Sequence, residues 1–167
     1  MGVDDHRQKA PKCVRLAIIT VSDTRTEKDD SSGMAIAEIM VEAGHEVVRK
    51  IMTKDDAGEI QKALRELIED ESVQAVILNG GTGIARRDVT MEAIQHFQEK
   101  TMPGFGELFR MLSYREIGSA AMISRAAAFV SERKVVFCLP GSEKAVRLAC
   151  SKLVAPELGH LVWEAQR

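Results

Sequence analysis

The chain reads as an α/β domain, a three-layer α/β/α sandwich around a mostly parallel sheet. Three observations predict this. Short apolar runs alternate with helical periodicities along the chain. The runs Arg15 to Val21 and Val73 to Leu78 are almost continuously apolar, as in strands whose sheet is covered on both faces. The second run then hands over to a glycine-rich loop, Asn79-Gly80-Gly81-Thr82-Gly83, and that loop to a helical pattern. In open α/β sheets such strand-to-helix loops, beyond the carboxyl ends of the strands, are where ligands bind.

Each element follows in order. Residues 1–13 are polar and read as a flexible tail, leaving 14–167 as one domain. Strand one is Arg15 to Val21, and Ser22 to Ser32 is a polar loop in which Ser31 or Ser32 is expected to cap a helix. That helix buries Ile36, Ile39, Met40 and Ala43, and Gly44 stops it. A second strand runs from about Glu46 to Met52. Asp55 and Asp56 open the next helix, whose face is Ile60, Ala63, Leu64, Leu67 and Ile68. Strand three is Val73 to Leu78, and Thr90 is expected to cap a helix from Met91 to about Lys100.

Met102-Pro103-Gly104-Phe105-Gly106 breaks the pattern. Beyond it Phe105, Leu108, Phe109 and Leu112 share one helix side, a stripe suited to core or to a subunit interface. Ala120 to Phe129 is small and apolar without an assignable period. Glu132-Arg133-Lys134 predicts a turn before a strand from Val135 to Leu139, which ends in Pro140-Gly141-Ser142. Two closing helices are expected near Glu143 to Leu153 and Pro156 to Glu164.

Composition narrows the function. With 167 residues, 45% of them apolar, the chain can build a real core. A net charge of −2 and 4% aromatics argue against a nucleic-acid surface. No apolar run is long enough to span a bilayer and no leader-like segment opens the chain, so no membrane partner and a cytoplasmic location are expected. Cys13, Cys138 and Cys150 are widely spaced and read as reduced thiols. The four histidines show no metal-ligand spacing and read as surface residues.

In a parallel sheet the loops after the strands meet at one edge. Four converge here: Ser22-Asp23-Thr24-Arg25, Asp55-Asp56, Gly80 to Asp88, and Pro140-Gly141-Ser142. Together they offer carboxylates (Asp23, Asp55, Asp88), hydroxyls (Ser22, Thr82, Ser142), glycine N–H groups, and cations at Arg86 and Arg87. That set suits a phosphorylated ligand with Mg²⁺, which takes one or two carboxylates plus phosphate oxygens and water. The glycine loop is neither a Walker A motif, since no Gly-Lys-Ser/Thr follows, nor GxGxxG.

Gly80-Gly81-Thr82-Gly83 with Arg87-Asp88-Val89-Thr90 closely resembles the molybdopterin-binding fold of molybdenum cofactor biosynthesis. Thr20 to Arg25, Ser32-Gly33, Met102 to Gly106, Ser124-Arg125 and Leu139-Pro140-Gly141 are similar to the other family blocks, in the same order. The resemblance covers about Val14 to Trp163 and looks most like the bacterial MoaB/MogA group.

What the resemblance implies is a MogA-like fold and a molybdopterin adenylyltransferase. Such an enzyme attaches AMP from Mg-ATP to the terminal phosphate of molybdopterin and releases pyrophosphate. The resemblance also implies a homo-oligomer, trimer or hexamer, and a downstream MoeA-type molybdate insertion enzyme. Asp88 falls on the family's essential aspartate and Asp55 on the one opening the helix after strand two; both would be catalytic and hold Mg²⁺. The resemblance carries Gly80, Gly81, Thr82 and Gly83 to pterin and phosphate contacts, and Ser124 to a further substrate contact. Arg87, Pro140, Gly141, Ser142, Ser22 and Asp23 are expected to line the same substrate site. The alternative is a catalytically silent molybdopterin-binding or scaffold protein of the same pathway.

Overall fold

Strands and helices alternate through the described residues, 9–167 of a computed structural model. The first half gives β1 (Arg15–Val21), α1 (Ser31–Glu42), β2 (Glu46–Thr53), α2 (Ala57–Glu69), β3 (Ala75–Asn79) and α3 (Thr90–Ile94). The second gives β4 (Lys100–Thr101), α4 (Pro103–Ile117), β5 (Ala127–Ser131), β6 (Lys134–Leu139), α5 (Glu143–Ala149) and α6 (Ala155–Gln166). Of the expected tail, residues 1–8 lie outside the described residues. Pro11 packs on α6: a Cβ on Gly159 would sit 2.3 Å from its carbonyl oxygen.

The six strands form one sheet in the order β2-β1-β3-β6-β5-β4. β2, β1, β3 and β6 run parallel, whereas β5 and β4 add an antiparallel edge. Side-chain alternation along β1 divides the core between two layers. Leu16 and Ile18 pack with Ile36 and Met40 of α1, Phe109 of α4, and Val146, Leu158 and Val162 of α5 and α6. Ala17, Ile19 and Val21 pack on the opposite face with Ile60, Leu64 and Leu67 of α2 and Ile94 of α3. Truncating a leucine as buried as Leu64 to alanine costs about 2–5 kcal/mol, so each layer contributes substantially to stability.

Several local expectations are corrected. α1 is capped by Asp30, whose carboxylate accepts from the Gly33 N–H at 3.0 Å, not by Ser31 or Ser32. Ser32 lies inside the helix and gives its hydroxyl proton to Asn79. Thr90 does not cap α3 either; the capping position is Val89. The Thr90 hydroxyl instead donates to the Gly80 carbonyl at 2.8 Å and its N–H to Gly81, stapling the helix to the glycine loop. α3 then gives way to a 3₁₀ turn, Gln95–Phe97, well short of Lys100.

The unassigned stretch becomes a 3₁₀ segment, Gly118–Ile123, followed by β5. β5 turns into β6 through Glu132 and Arg133, with φ of 46° and 66°. Two consecutive positive φ angles suit a tight hairpin, and here neither Asn nor Gly signals it. The two closing helices are one run joined by a π-helical turn, Cys150–Val154. The stripe on α4 divides: Phe109 is 1% exposed and sits in the core, while Leu108 is 48% exposed. His45 is buried rather than superficial; its Nδ1 accepts from the Val14 N–H at 3.2 Å, and burial pushes its pKa down. The thiols of Cys138 and Cys150 are unbonded and buried, and burial pushes the Cys150 thiol up to about 12.

Candidate active site

The parallel register brings the carboxyl ends of β1, β3 and β6 into line, with Thr20 beside Asn79 and Asn79 beside Leu139. The loops leaving these ends, and the one leaving β2, enclose a cleft of about 480 Å³. The residues expected to be catalytic or to contact substrate all line it: Ser22, Asp23, Asp55, Gly80, Gly81, Thr82, Gly83, Arg87, Asp88, Ser124, Pro140, Gly141 and Ser142. Arg86 is exposed and does not.

Close backbone approach sets the glycine requirement at two positions. Gly80 has φ +102°, and a Cβ there would lie 2.2 Å from the Val21 carbonyl oxygen, so β1 and the loop touch main chain to main chain. Gly81 has φ +65°, and its Cβ would lie 2.3 Å from Thr90 Oγ1 and 2.8 Å from Asp55 Oδ1. The loop is thus pressed against the Asp55 carboxylate. Among the described residues, the N–H groups of Gly81, Thr82 and Gly83 meet no acceptor. They are available as an anion-binding edge.

The carboxylates divide their work. The cap of α2 is Asp56, which accepts from the Glu59 N–H at 2.9 Å, so Asp55 is relieved of that duty. Asp55 Oδ1 is buried and has no hydrogen-bond partner among the described residues. Its neighbour Asp23 accepts from the Asp55 N–H at 3.1 Å. Burial raises the Asp55 pKa first, the charges of Asp23 and Asp88 raise it further, and Arg87 opposes them. Asp88 accepts from the Ala85 N–H at 2.8 Å, which folds the loop tip back, and forms no ion pair with Arg86 or Arg87 among the described residues.

A buried carboxylate oxygen without a donor, crowded by two more carboxylates, has the chemistry of a cation site. Among the described residues no three acidic, histidine or cysteine side chains cluster tightly enough to chelate an ion alone. Mg²⁺ still fits, because it completes its shell with phosphate oxygens and water.

Some expected residues carry local structural bonds as well. The Ser142 hydroxyl accepts from the Ala145 N–H at 3.2 Å and caps α5. The Ser22 hydroxyl accepts from the N–H groups of Thr24 and Arg25, closing its own loop. Two arginines were missed by sequence reasoning. Arg25 lines the cleft and donates through Nη1 to the Gly141 carbonyl at 3.0 Å. Arg125 grips the glycine loop, with Nε on the Thr82 carbonyl at 3.3 Å and Nη2 on that of Asp88 at 3.0 Å. Glu92, on α3, pairs with the same guanidinium. The available signal was position: Arg25 closes the loop after strand one, and Arg125 follows Ser124 directly.

Both the sequence and the fold have known relatives. Residues 17–160 match the family described as "Probable molybdopterin binding domain". The "Molybdenum cofactor biosynthesis protein B" of Bacillus cereus is 52% identical over 168 aligned positions, covering 100% of this chain and 99% of that protein. A crystal structure of a molybdenum cofactor biosynthesis protein B superposes with a TM-score of 0.91 at 53% identity, over 95% of this chain and 99% of the other. The tungsten cofactor synthesizing protein MoaB of Pyrococcus furiosus superposes with a TM-score of 0.85 at 37% identity, over 95% of this chain and 100% of the other.

Proposed function

The chain belongs to the molybdopterin-binding domain family of molybdenum cofactor biosynthesis, and on that premise we propose that its cleft adenylylates molybdopterin. An oxygen of the molybdopterin phosphate attacks the α-phosphorus of ATP. A new P–O–P linkage forms, the bond between the α-phosphorus and the bridging oxygen breaks, and pyrophosphate leaves.

One observation carries this reading: the buried, partnerless Asp55 Oδ1 facing the glycine loop at the strand-end cleft, with Asp23 and Asp88 close by. Asp55 and Asp88 would hold Mg²⁺, which would supply charge neutralisation for the triphosphate. The chain's own groups do the positioning. The Gly81, Thr82 and Gly83 N–H groups receive phosphate oxygens, and Arg87 offsets their charge. Ser124, Pro140, Gly141 and Ser142 form the facing wall, and Ser22 and Asp23 the rim. In transfer reactions at phosphorus, alignment and electrostatics supply most of the rate. The reading extends to a cytoplasmic homotrimer or homohexamer whose product passes to a MoeA-type insertion enzyme.

The test is pyrophosphate release by the purified protein given molybdopterin and Mg-ATP, with Asp88→Asn alongside. Molybdopterin-dependent release that falls by about two or more orders of magnitude in the variant is expected, in line with the loss of an electrostatic group at a transition state. No release, with molybdopterin still bound, assigns the chain to the silent binding class instead.

A further inference from the structure

We propose that Arg25 is the prearranged cation of the cleft and receives a phosphate group of the substrate. The inference rests on the reading that the cleft takes phosphorylated ligands.

The guanidinium is rooted in the core. Its Nη1 donates to Ser32 Oγ at 2.7 Å and to the Gly141 carbonyl at 3.0 Å. Ser32 Oγ donates in turn to Asn79 Oδ1 at 2.7 Å, and Asn79 Nδ2 donates to the Ile19 carbonyl at 3.2 Å and to Thr20 Oγ1 at 3.0 Å. Ser32 and Asn79 are completely buried. A chain of hydrogen bonds therefore ties Arg25 to the ends of β1 and β3, and the side chain is ordered before any ligand arrives.

The opposite edge of the fork is unused. Among the described residues, Nε and Nη2 of Arg25 make no hydrogen bond and no ion pair, although the cleft also contains Asp23, Asp55 and Asp88. Asp29, which feels the Arg25 charge, is itself held by the N–H and hydroxyl of Thr26. The Nε–Nη2 edge presents two parallel N–H donors whose spacing matches two oxygens of a phosphate. Arg87 shares the cleft but is exposed, so binding must first order its side chain. Prearrangement removes that entropy cost for Arg25.

The phosphate belongs either to the triphosphate of ATP or to the monoester of molybdopterin, and separate titrations tell them apart. Wild type, Arg25→Gln and Arg25→Lys are titrated calorimetrically with Mg-ATP and with molybdopterin, each at low and high salt. Arg25→Gln should bind one or both ligands about tenfold to a hundredfold more weakly, the range for a lost charged hydrogen-bond pair. Its affinity for that ligand should also depend less steeply on salt. Arg25→Lys, which keeps the charge but not the fork, should fall between. The ligand that weakens identifies which phosphate Arg25 receives. Wild-type affinity for both ligands in both variants overturns the proposal, as does a loss equal at every salt concentration, which marks collapse of the loop. A wild type that binds neither ligand refutes the adenylylation reading and this inference with it.

Discussion

Replacing Gly81 with alanine tests whether the glycine loop and Asp55 are packed as one unit. The backbone at this position has φ +65°, a left-handed conformation that costs a residue with a Cβ about 1–2 kcal/mol. The new methyl would also lie 2.3 Å from Thr90 Oγ1 and 2.8 Å from Asp55 Oδ1, well inside contact distance. Thr90 then has to rotate and abandon the Gly80 carbonyl, adding about 1–3 kcal/mol for a buried acceptor left unpaired. The sum is about 2–5 kcal/mol, which in a domain of this size lowers Tm by about 5–15 °C. Thermal unfolding followed by circular dichroism measures it, with Mg-ATP titrated at a temperature where both proteins are folded. Gly104→Ala is the control, since a Cβ there meets nothing within 4 Å. A Gly81→Ala protein that melts within about 1 °C of wild type, against the conformational cost above, and binds Mg-ATP equally well would refute the reasoning.

Three further outcomes are expected. Asp55→Asn should raise Tm at neutral pH and abolish stabilisation by added Mg²⁺: with its folded-state pKa raised, this carboxyl's contribution to the fold is complete below its ordinary value of 3.8 and is lost as pH rises through the raised folded value, so at pH 7 its charge is a burden. Melts with and without MgCl₂ decide it, and a lower Tm in the variant would contradict the crowding of Asp23, Asp55 and Asp88. Arg125→Ala should lower kcat for pyrophosphate release by about ten- to a hundredfold through misplacement of Asp88, with Arg125→Lys restoring part of it; an unchanged kcat would remove Arg125 from the positioning role. For His45 the pKa is depressed in the fold, so the unfolded chain takes up the proton first and stability falls as pH drops below about 6.5, by at most about 1.4 kcal/mol per pH unit. Denaturant unfolding between pH 5 and 7 should show a flatter slope in His45→Gln; equal slopes would contradict it.

Much of the site was legible because strand order along the chain and chain direction within a parallel sheet determine which loops meet. Once Arg15 to Val21, Glu46 to Met52, Val73 to Leu78 and Val135 to Leu139 are read as strands, the loops after them fall on one edge, and their residues line one cleft. The antiparallel β5 edge was not legible. The turn at Glu132 and Arg133 was read and is there, but the strand before it falls in a small, apolar stretch, Ala120 to Phe129, that carries no alternation to mark it. Caps were misread for a related reason. Asp30, Ser31 and Ser32 are all good capping residues, and the choice among them depends on which side chain the core requires elsewhere.

Local pattern and composition by themselves determined the α/β class, the strand-end loops and the chemical character of the site, because periodicity and residue type are properties of neighbours in sequence. Only the tertiary structure decided how those groups are used. It placed Asp56 rather than Asp55 as the cap of α2, leaving a buried carboxylate oxygen without a donor. It joined Arg25 to Asn79 through Ser32, and Arg125 to the glycine loop, across sequence separations that no periodicity spans. Hydrogen bonding and burial depend on which atoms meet in space, and that is settled by packing two helical layers on one sheet.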